Sequence, residues 1–461
     1  MKKNVPILFA FLLTGGLLTA EVPVKGGIHF YTATDPDSGD FYRNAVTSNL
    51  EFRKGFDKTA LFIDIGAEYD TAQSSESVRT LYGTTIDASN ASVNADHVNT
   101  TIEEEQKRVY LKEAYINQDF HVKGIEIIDS FSLKTGKIIT NWGLSEYYSP
   151  VDVVNPQDYT FHVMKSKAER KMAVYAFSPS AYFSRHFMFD AVINPVFEQN
   201  REFSSSFNHE NTRRFLTYTE GFGATFAGEE QPDPSIWKTS YGARLGLLFP
   251  VFEGHLMYYS GYNHAPTYEL AGTEANPRVK AHYNRFDMVG IDFLSSLVWD
   301  INLKGEAAYY NSGKHFYLKE DEAASDLASG GDGTAESTSA NYTLGFEVVK
   351  DFTGSAFLLN IEFNQYIIID HTSDMKQNQL TNRILGEIQY RFADKKAYLK
   401  NATLYCIDES DIGAQFELGL KPEKNYAIKS GYWLFHEMDE GGYMGAYNDQ
   451  SFVYIGGDML F

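Results

Sequence analysis

Cysteine is all but missing from this chain: Cys406 is the single one in 461 residues. One thiol excludes a disulfide framework and any cysteine-based metal site. Cys406 falls in 398–407, which alternates like a strand, so it reads as an inert wall residue. Proline is scarce at 13 residues, and tryptophan at 4. Beyond residue 20 no apolar run approaches the length of a spanning helix. The mean hydropathy of −0.33 likewise excludes a helical membrane protein. Positive charge is short too. Lys and Arg number 40 against 61 Asp and Glu, for a net charge of −21, which argues against a nucleic-acid partner. No glycine-rich phosphate loop follows a strand, and neither HExxH nor GxSxG occurs. No catalytic residue, cofactor or metal site is read, and no enzyme is expected.

What is abundant is aromatic. Tyr and Phe number 31 and 34, and aromatics make up 15% of the chain. That richness suits strands ending in interfacial girdles. The last stretch, 451–461, shows the pattern most plainly. Val453, Ile455, Gly457, Met459 and Phe461 share one face; Tyr454, Gly456, Asp458 and Leu460 share the other. A period of two is a strand. One that ends on an exposed aromatic suits the closing strand of a transmembrane β-barrel, with lipid outside and water inside. The terminal Phe461 also looks like the C-terminal signature that barrel-assembly machinery reads in bacterial outer-membrane barrels.

At the other end, Met1-Lys2-Lys3 precedes an apolar run over 5–18, and Thr19-Ala20 precedes Glu21. This reads as a secretory signal peptide over 1–20, cleaved after Ala20. No cysteine follows the run, which excludes a lipoprotein anchor. The expected mature unit is one outer-membrane barrel over 21–461.

Alternation recurs along the chain. Tyr42, Val46, Leu50 and Phe52 oppose Arg43, Thr47, Asn49, Glu51 and Arg53. Leu61, Ile63, Ile65, Ala67 and Tyr69 oppose Asp64, Glu68 and Asp70. The same reading sets Arg244, Glu362, Arg383, Glu387, Arg391, Glu417 and Lys429 on the polar faces of later strands. About eighteen such segments are predicted, or sixteen. They lie near 24–33, 41–54, 57–70, 107–120, 126–139, 170–178, 186–197, 237–249 and 251–264. The rest lie near 279–293, 296–310, 340–350, 353–368, 379–392, 395–408, 411–422, 424–438 and 448–461. Those around 107–139 and 170–197 are the weakest. Short turns such as 54–58, 249–252, 350–354 and 393–396 alternate with long polar connections at 71–106, 140–169, 198–236, 265–278 and 311–339. That asymmetry predicts an all-β, antiparallel up-and-down barrel with short periplasmic turns and long outer loops.

The long loops are acidic, with Glu103-Glu104-Glu105 in one and a Glu/Asp/Gly run over 319–333 in another. Such runs read as solvated surface; divalent-cation binding by the second is the alternative, though it lacks the ligand spacing of a calcium loop. They predict mild cation preference at the mouth. Six of the 12 histidines, His29, His255, His264, His282, His371 and His436, read as lumen or rim residues; His436 with Asp439 is the pair a barrel enzyme would use.

The third outer loop differs from the rest. It carries Trp142, Pro150, Pro156 and several apolar residues, and Lys165, Lys167, Arg170 and Lys171 follow it. By analogy with general porins, whose third loop folds inward, 141–170 is expected to form a constriction with Trp142, Asp152 and Asp158 among its residues; the alternative is that Trp142 and the prolines merely brace the rim. Trp142-Gly143, Pro150-Val151-Asp152 and Asn155-Pro156-Gln157-Asp158 also resemble a WG…PxD…NPxD signature. That signature belongs to a family of largely uncharacterised bacterial outer-membrane barrels, grouped loosely with porin-like and alginate-export-like proteins. The resemblance implies a barrel and leaves the substrate open; the acidic balance of this chain departs from the basic lumen of alginate exporters.

Charges facing lipid are unfavourable by roughly 2–4 kcal/mol for Arg or Lys at the midplane. The charged faces must therefore line water or pair across the wall. The expected function is a channel passing small hydrophilic solutes or ions, in contact with outer-membrane lipid. The rival readings are a surface-exposed binding or adhesion barrel and a barrel enzyme.

Overall fold

The computed structural model describes residues 23–39, 41–72, 107–120, 128–160, 162–201, 223–233, 235–273, 275–311, 313, 315–436 and 450–461. The expected signal peptide, the acidic run at 103–105 and Asp439 lie outside them.

Among these residues the strands are β1 (Val24–Thr34), β2 (Phe41–Phe56), β3 (Thr59–Asp70), β4 (Lys107–Phe120), β5 (Ser130–Ile138), β6 (Val174–Ser184) and β7 (Phe187–Asn194). Next come β8 (Thr225–Glu230), β9 (Ser240–Phe249), β10 (Phe252–Tyr262), β11 (Thr267–Thr273), β12 (Asn276–His282), β13 (Arg285–Ser296), β14 (Ile301–Asn311), β15 (His315–Tyr317) and β16 (Thr334–Glu336). The chain ends with β17 (Ser339–Phe352), β18 (Ser355–Ile368), β19 (Leu380–Phe392), β20 (Ala397–Cys406), β21 (Asp411–Glu423), β22 (Tyr426–His436) and β23 (Phe452–Leu460). Two helices matter here, α1 (Lys167–Arg170) and α2 (Glu320–Ala328).

Eighteen strands form one sheet, each paired antiparallel with its neighbours along the chain. The sheet closes on itself: β1 pairs with β2 on one side and with β23 on the other. Closure removes every edge, which is what lipid demands of a sheet. The seam runs from Gly27 opposite Leu460 to Thr34 opposite Val453, and Gly26 and Phe461 exchange backbone hydrogen bonds of 2.9 and 3.0 Å below it.

The dyad pattern decides which face is which. Leu50, Ile65, Leu245, Leu256, Ile291, Ile388, Leu418, Ile428 and Ile455 all stand exposed on the outside. Such a wide apolar exterior fits lipid. Phe56, Phe249, Phe252 and Phe352 stand exposed beside the short turns, as an interfacial girdle does. The opposite faces of the same strands are buried, with Arg43, Asp64, Glu68, Asn360 and Glu362 among the buried polar residues.

Three readings of the sequence are corrected. Tyr42 does not face lipid: its ring lies 6.2 Å from Phe452, edge-on, inside the barrel. The register of β1 against β2 shifts between Ala33 and Thr34, and that bulge turns Tyr42 inward. The alternation over 279–282 does not belong to a wall strand. It forms β12, which pairs with β11 and, in parallel, with β8 in a three-stranded sheet outside the wall. Finally, the acidic run after 319 is not merely solvated. It forms α2, whose Ala323 and Leu327, one helical turn apart, are buried against Tyr268, Leu270 and Tyr317.

Candidate functional site: the third outer loop inside the barrel

The connection between β5 and β6, residues 139–173, folds into the lumen. Its neck is closed by Asn155. The Asn155 amide donates to the Met172 and Ile138 carbonyls at 2.8 and 3.3 Å, and its oxygen accepts from the Thr140 N–H at 2.8 Å. Gly143 (φ 79°) turns the chain after the tryptophan. A side chain there would run into Ser149 and Glu306, so only glycine serves. Pro150 and Pro156 keep the loop from becoming helix, except at α1, which Ser166 and Glu169 cap reciprocally.

Four sectors of the wall hold this loop. On β5–β14, Trp142, Val151 and Val154 are buried among Ile138, Val174, Met257, Tyr259, Met288 and Tyr310. On the strands diametrically across the ring, Tyr147, Tyr148, Val163 and Met164 pack against Leu385, Leu404, Trp433 and Phe452. Between these apolar patches, Glu306 accepts from the Leu144 and Ser145 N–H groups and from Ser149 Oγ. Glu362 accepts from Ser145 Oγ at 2.6 Å and from Lys304 Nζ at 2.5 Å. The Thr343 hydroxyl donates to the Tyr148 carbonyl at 2.7 Å. On the fourth sector, Asp158 receives Arg108 of β4 at 3.2 Å and Lys165 at 3.0 Å. A loop so fastened crosses the lumen rather than lying on its rim.

Three of the carboxylates here, Glu68, Asp158 and Asp152, are each shared by two cations. Glu68 takes Arg43, at 2.8 Å, and Arg108. Asp158 takes Arg108 and Lys165. Asp152 takes Lys167 at 3.1 Å and Lys171 at 2.8 Å. Burial disfavours the charge on Asp158, but Lys165, Arg108 and Arg201 overcome it and hold the carboxyl well below the usual carboxylate range.

Two cavities flank the loop. The larger, about 410 Å³, lies against β1–β5 and is lined by seven Lys and Arg residues and three carboxylates, Glu68, Asp158 and Glu169. The smaller, about 250 Å³, lies against β19–β22 and mixes Tyr147, Tyr148 and Trp433 with Arg170, Glu387, Lys400, Glu417 and Lys429. Lys165 and Glu169 border both.

The residues singled out from sequence fall into two groups. Lys165, Lys167, Arg170, Lys171, Asp152 and Asp158 are brought together around the loop, whereas Trp142, 2% exposed, anchors it to the wall instead of facing the cavities. Of the wall residues, Arg43 and Glu68 pair with each other, Asp64 lies 3.6 Å from Lys112, Arg244 2.8 Å from Asp190, and Glu387 3.1 Å from Lys400. Arg383 lies over the ring of Tyr148 at 4.8 Å and Arg53 over Phe62 at 5.2 Å. Glu417 accepts from the Tyr398 and Tyr454 hydroxyls at 2.7 Å. Glu51 is half-buried beside Asp64, opposite it in the β2–β3 register. Arg391 is exposed near a short turn, donating to Gln389 at 2.8 Å. Lys429 lines the smaller cavity. Arg108, Lys304 and Glu306 were not anticipated. In β4 a register shift breaks the alternation between Arg108 and Glu113, which hides the inward face from a period-two reading.

The family described as "Protein of unknown function (DUF1302)" matches residues 35–423. The chain belongs to that family. No functionally curated protein matches it in sequence. Among solved structures it resembles OccAB1 of Acinetobacter baumannii, with TM-score 0.51, 8% identity and 95% of each chain covered. Pseudomonas aeruginosa OpdK, solved with vanillate, aligns over 96% of this chain and 98% of its own, with TM-score 0.48 and 9% identity. Wzi, an Escherichia coli outer-membrane protein involved in group 1 capsule assembly and described as a carbohydrate-binding β-barrel, aligns over 95% and 84%, with TM-score 0.46 and 10% identity. At such identities the likeness is one of fold. It is the fold of outer-membrane β-barrels.

Proposed function

We propose that the protein is an outer-membrane channel for small hydrophilic solutes, narrowed by its third outer loop. The observation that carries this reading is the anchoring of one loop to opposite walls of an eighteen-stranded barrel, with Trp142 on one side and Tyr147 and Tyr148 on the other. A barrel of that size is too wide for wall side chains alone to fill. The loop divides the interior into the two polar cavities and so sets the size of what passes.

Charge selection follows from the same geometry. The larger cavity sets seven Lys and Arg side chains against three carboxylates, a local positive excess that includes Lys165, Lys171 and Arg108. The acidic outer loops act the other way at the mouth. The narrow part has the lower dielectric and the stronger field, so the constriction decides and the channel prefers anions. This replaces the mild cation preference that the loop composition alone suggests.

Lipid contacts the exposed apolar band, and assembly machinery reads the strand ending at Phe461. Purified protein in planar bilayers tests the channel: stepwise currents are expected, with a reversal potential in a potassium chloride gradient of the sign for chloride. A correctly folded protein that never conducts would end the reading.

The binding-barrel reading is favoured by one observation. The β8–β11–β12 sheet and α2 share a buried apolar cluster outside the wall, so the outer loops build an ordered surface. Excising 315–336 would then abolish capture of a partner while leaving conductance in place.

A further inference from the structure

Beyond the channel, the fifth and sixth outer loops bring together three side chains that the lumen does not use. Glu269 on β11, His315 on β15 and Asp332 just before β16 each offer one ligand atom, and these atoms all lie within 4.8 Å of one another. The three segments are fixed by backbone bonds. The Leu270 N–H donates to the Asp332 carbonyl at 2.7 Å, and the Leu318 N–H to the Gly333 carbonyl at 3.0 Å. His315 stands opposite Glu336 in the β15–β16 ladder. Beneath them lie the buried Tyr268, Leu270, Tyr317 and Leu327. The three side chains are thus held on rigid elements, which is what a binding site needs.

Neighbours fix the proton on the imidazole. The Thr334 hydroxyl has one hydrogen and donates it to Asp332 Oδ1, which can only accept, with the oxygens 2.7 Å apart. With that hydrogen committed, Thr334 Oγ1 can only accept from His315 Nδ1, 3.1 Å away. The ring hydrogen therefore sits on Nδ1, and Nε2 is left with a bare lone pair. Lys280, opposite Glu269 in the β11–β12 ladder, is taken by Glu230.

The geometry points to a site for a divalent transition-metal ion of the zinc type, bound by an imidazole nitrogen of His315 and the carboxylates of Glu269 and Asp332. One imidazole nitrogen with two carboxylate oxygens suits such an ion, whereas calcium takes an all-oxygen shell. Bonds of about 2.0–2.2 Å set neighbouring donor atoms roughly 3.4 Å apart, so small side-chain rotations close the gap. The fourth position is left to water or to a group from outside. Thr334 is the positioning residue: it orients both the imidazole and Asp332. The bound ion ties loop five to loop six.

The test is a calorimetric titration of zinc chloride into the full chain, folded in detergent and stripped with chelator. Wild type is expected to show one saturable zinc site and no calcium binding. His315→Ala removes it. Thr334→Val, which keeps the shape and loses the hydroxyl, weakens binding by about 10–100-fold. His186→Ala, at the exposed turn between β6 and β7, leaves it unchanged. Far-UV spectra identical to wild type establish that each variant is folded. Wild type without a saturable zinc site, or zinc binding that survives in folded His315→Ala, overturns the proposal. So does zinc affinity in Thr334→Val equal to wild type. None of these outcomes touches the channel, which is read by conductance.

Discussion

The indole of Trp142 meets the ring of Tyr259 edge-on, with centroids 6.4 Å apart and planes at 85°. This contact fastens the root of the third outer loop to β10. Gly242 makes room for it: a Cβ there would lie 2.7 Å from the Trp142 ring and 2.9 Å from the Tyr258 carbonyl. Trp142→Ala empties a fully buried site and is expected to weaken the docking of the loop by about 3–5 kcal/mol. Limited proteolysis checks it: cleavage within 141–170 should appear in the variant and be absent in wild type, with the wall intact in both. Equal resistance would mean that the indole holds nothing.

Removing the whole obstruction goes further. Deletion of 142–160 takes out the loop's contacts with Glu306 and Glu362 and the Asp158 end of the ion network. Single-channel conductance should rise. Unchanged conductance would assign the loop to bracing alone.

Lys165 borders both cavities and is held by Asp158 at 3.0 Å. Lys165→Gln keeps the length of the side chain and removes its charge. Asp158 keeps Arg108 as its partner. The reversal potential in a salt gradient should move toward cations relative to wild type. No movement would place the selecting field elsewhere.

His264 joins three loops. Its Nδ1 lies 2.6 Å from the Glu198 carbonyl and its Nε2 3.2 Å from the Val154 carbonyl. Burial pushes its pKa below the ordinary histidine value, against the pull of those carbonyls. The folded state thus prefers the neutral ring and the unfolded state binds the proton first. Its contribution is complete above the unfolded value near 6.5 and is lost as pH falls below it toward the folded value. The urea midpoint should therefore fall between pH 7.5 and pH 5 by more in wild type than in His264→Gln. Equal losses would show that other groups carry the acid sensitivity.

The wall was legible because a strand with one polar and one apolar face keeps a period of two. All eighteen predicted segments overlap strands of the ring, including the two weak regions. Asp64, Glu68 and Glu362 turned inward as their spacing required. The inner apolar patches were harder to see. On β10, Met257 and Tyr259 face in while Leu256 and Tyr258 face out, so hydrophobicity on both faces erases the contrast. The acid-rich start of α2 hid its helical spacing, Ala323 to Leu327. The cluster of Glu269, His315 and Asp332 joins residues from two loops, and no local spacing announces it.

Because β1 and β23 are neighbours, the first and last strands of the ring are sealed to each other. The ring therefore cannot shut before β23 is in place. Until then the sheet is a ribbon with two sticky borders, each open to a strand of another copy.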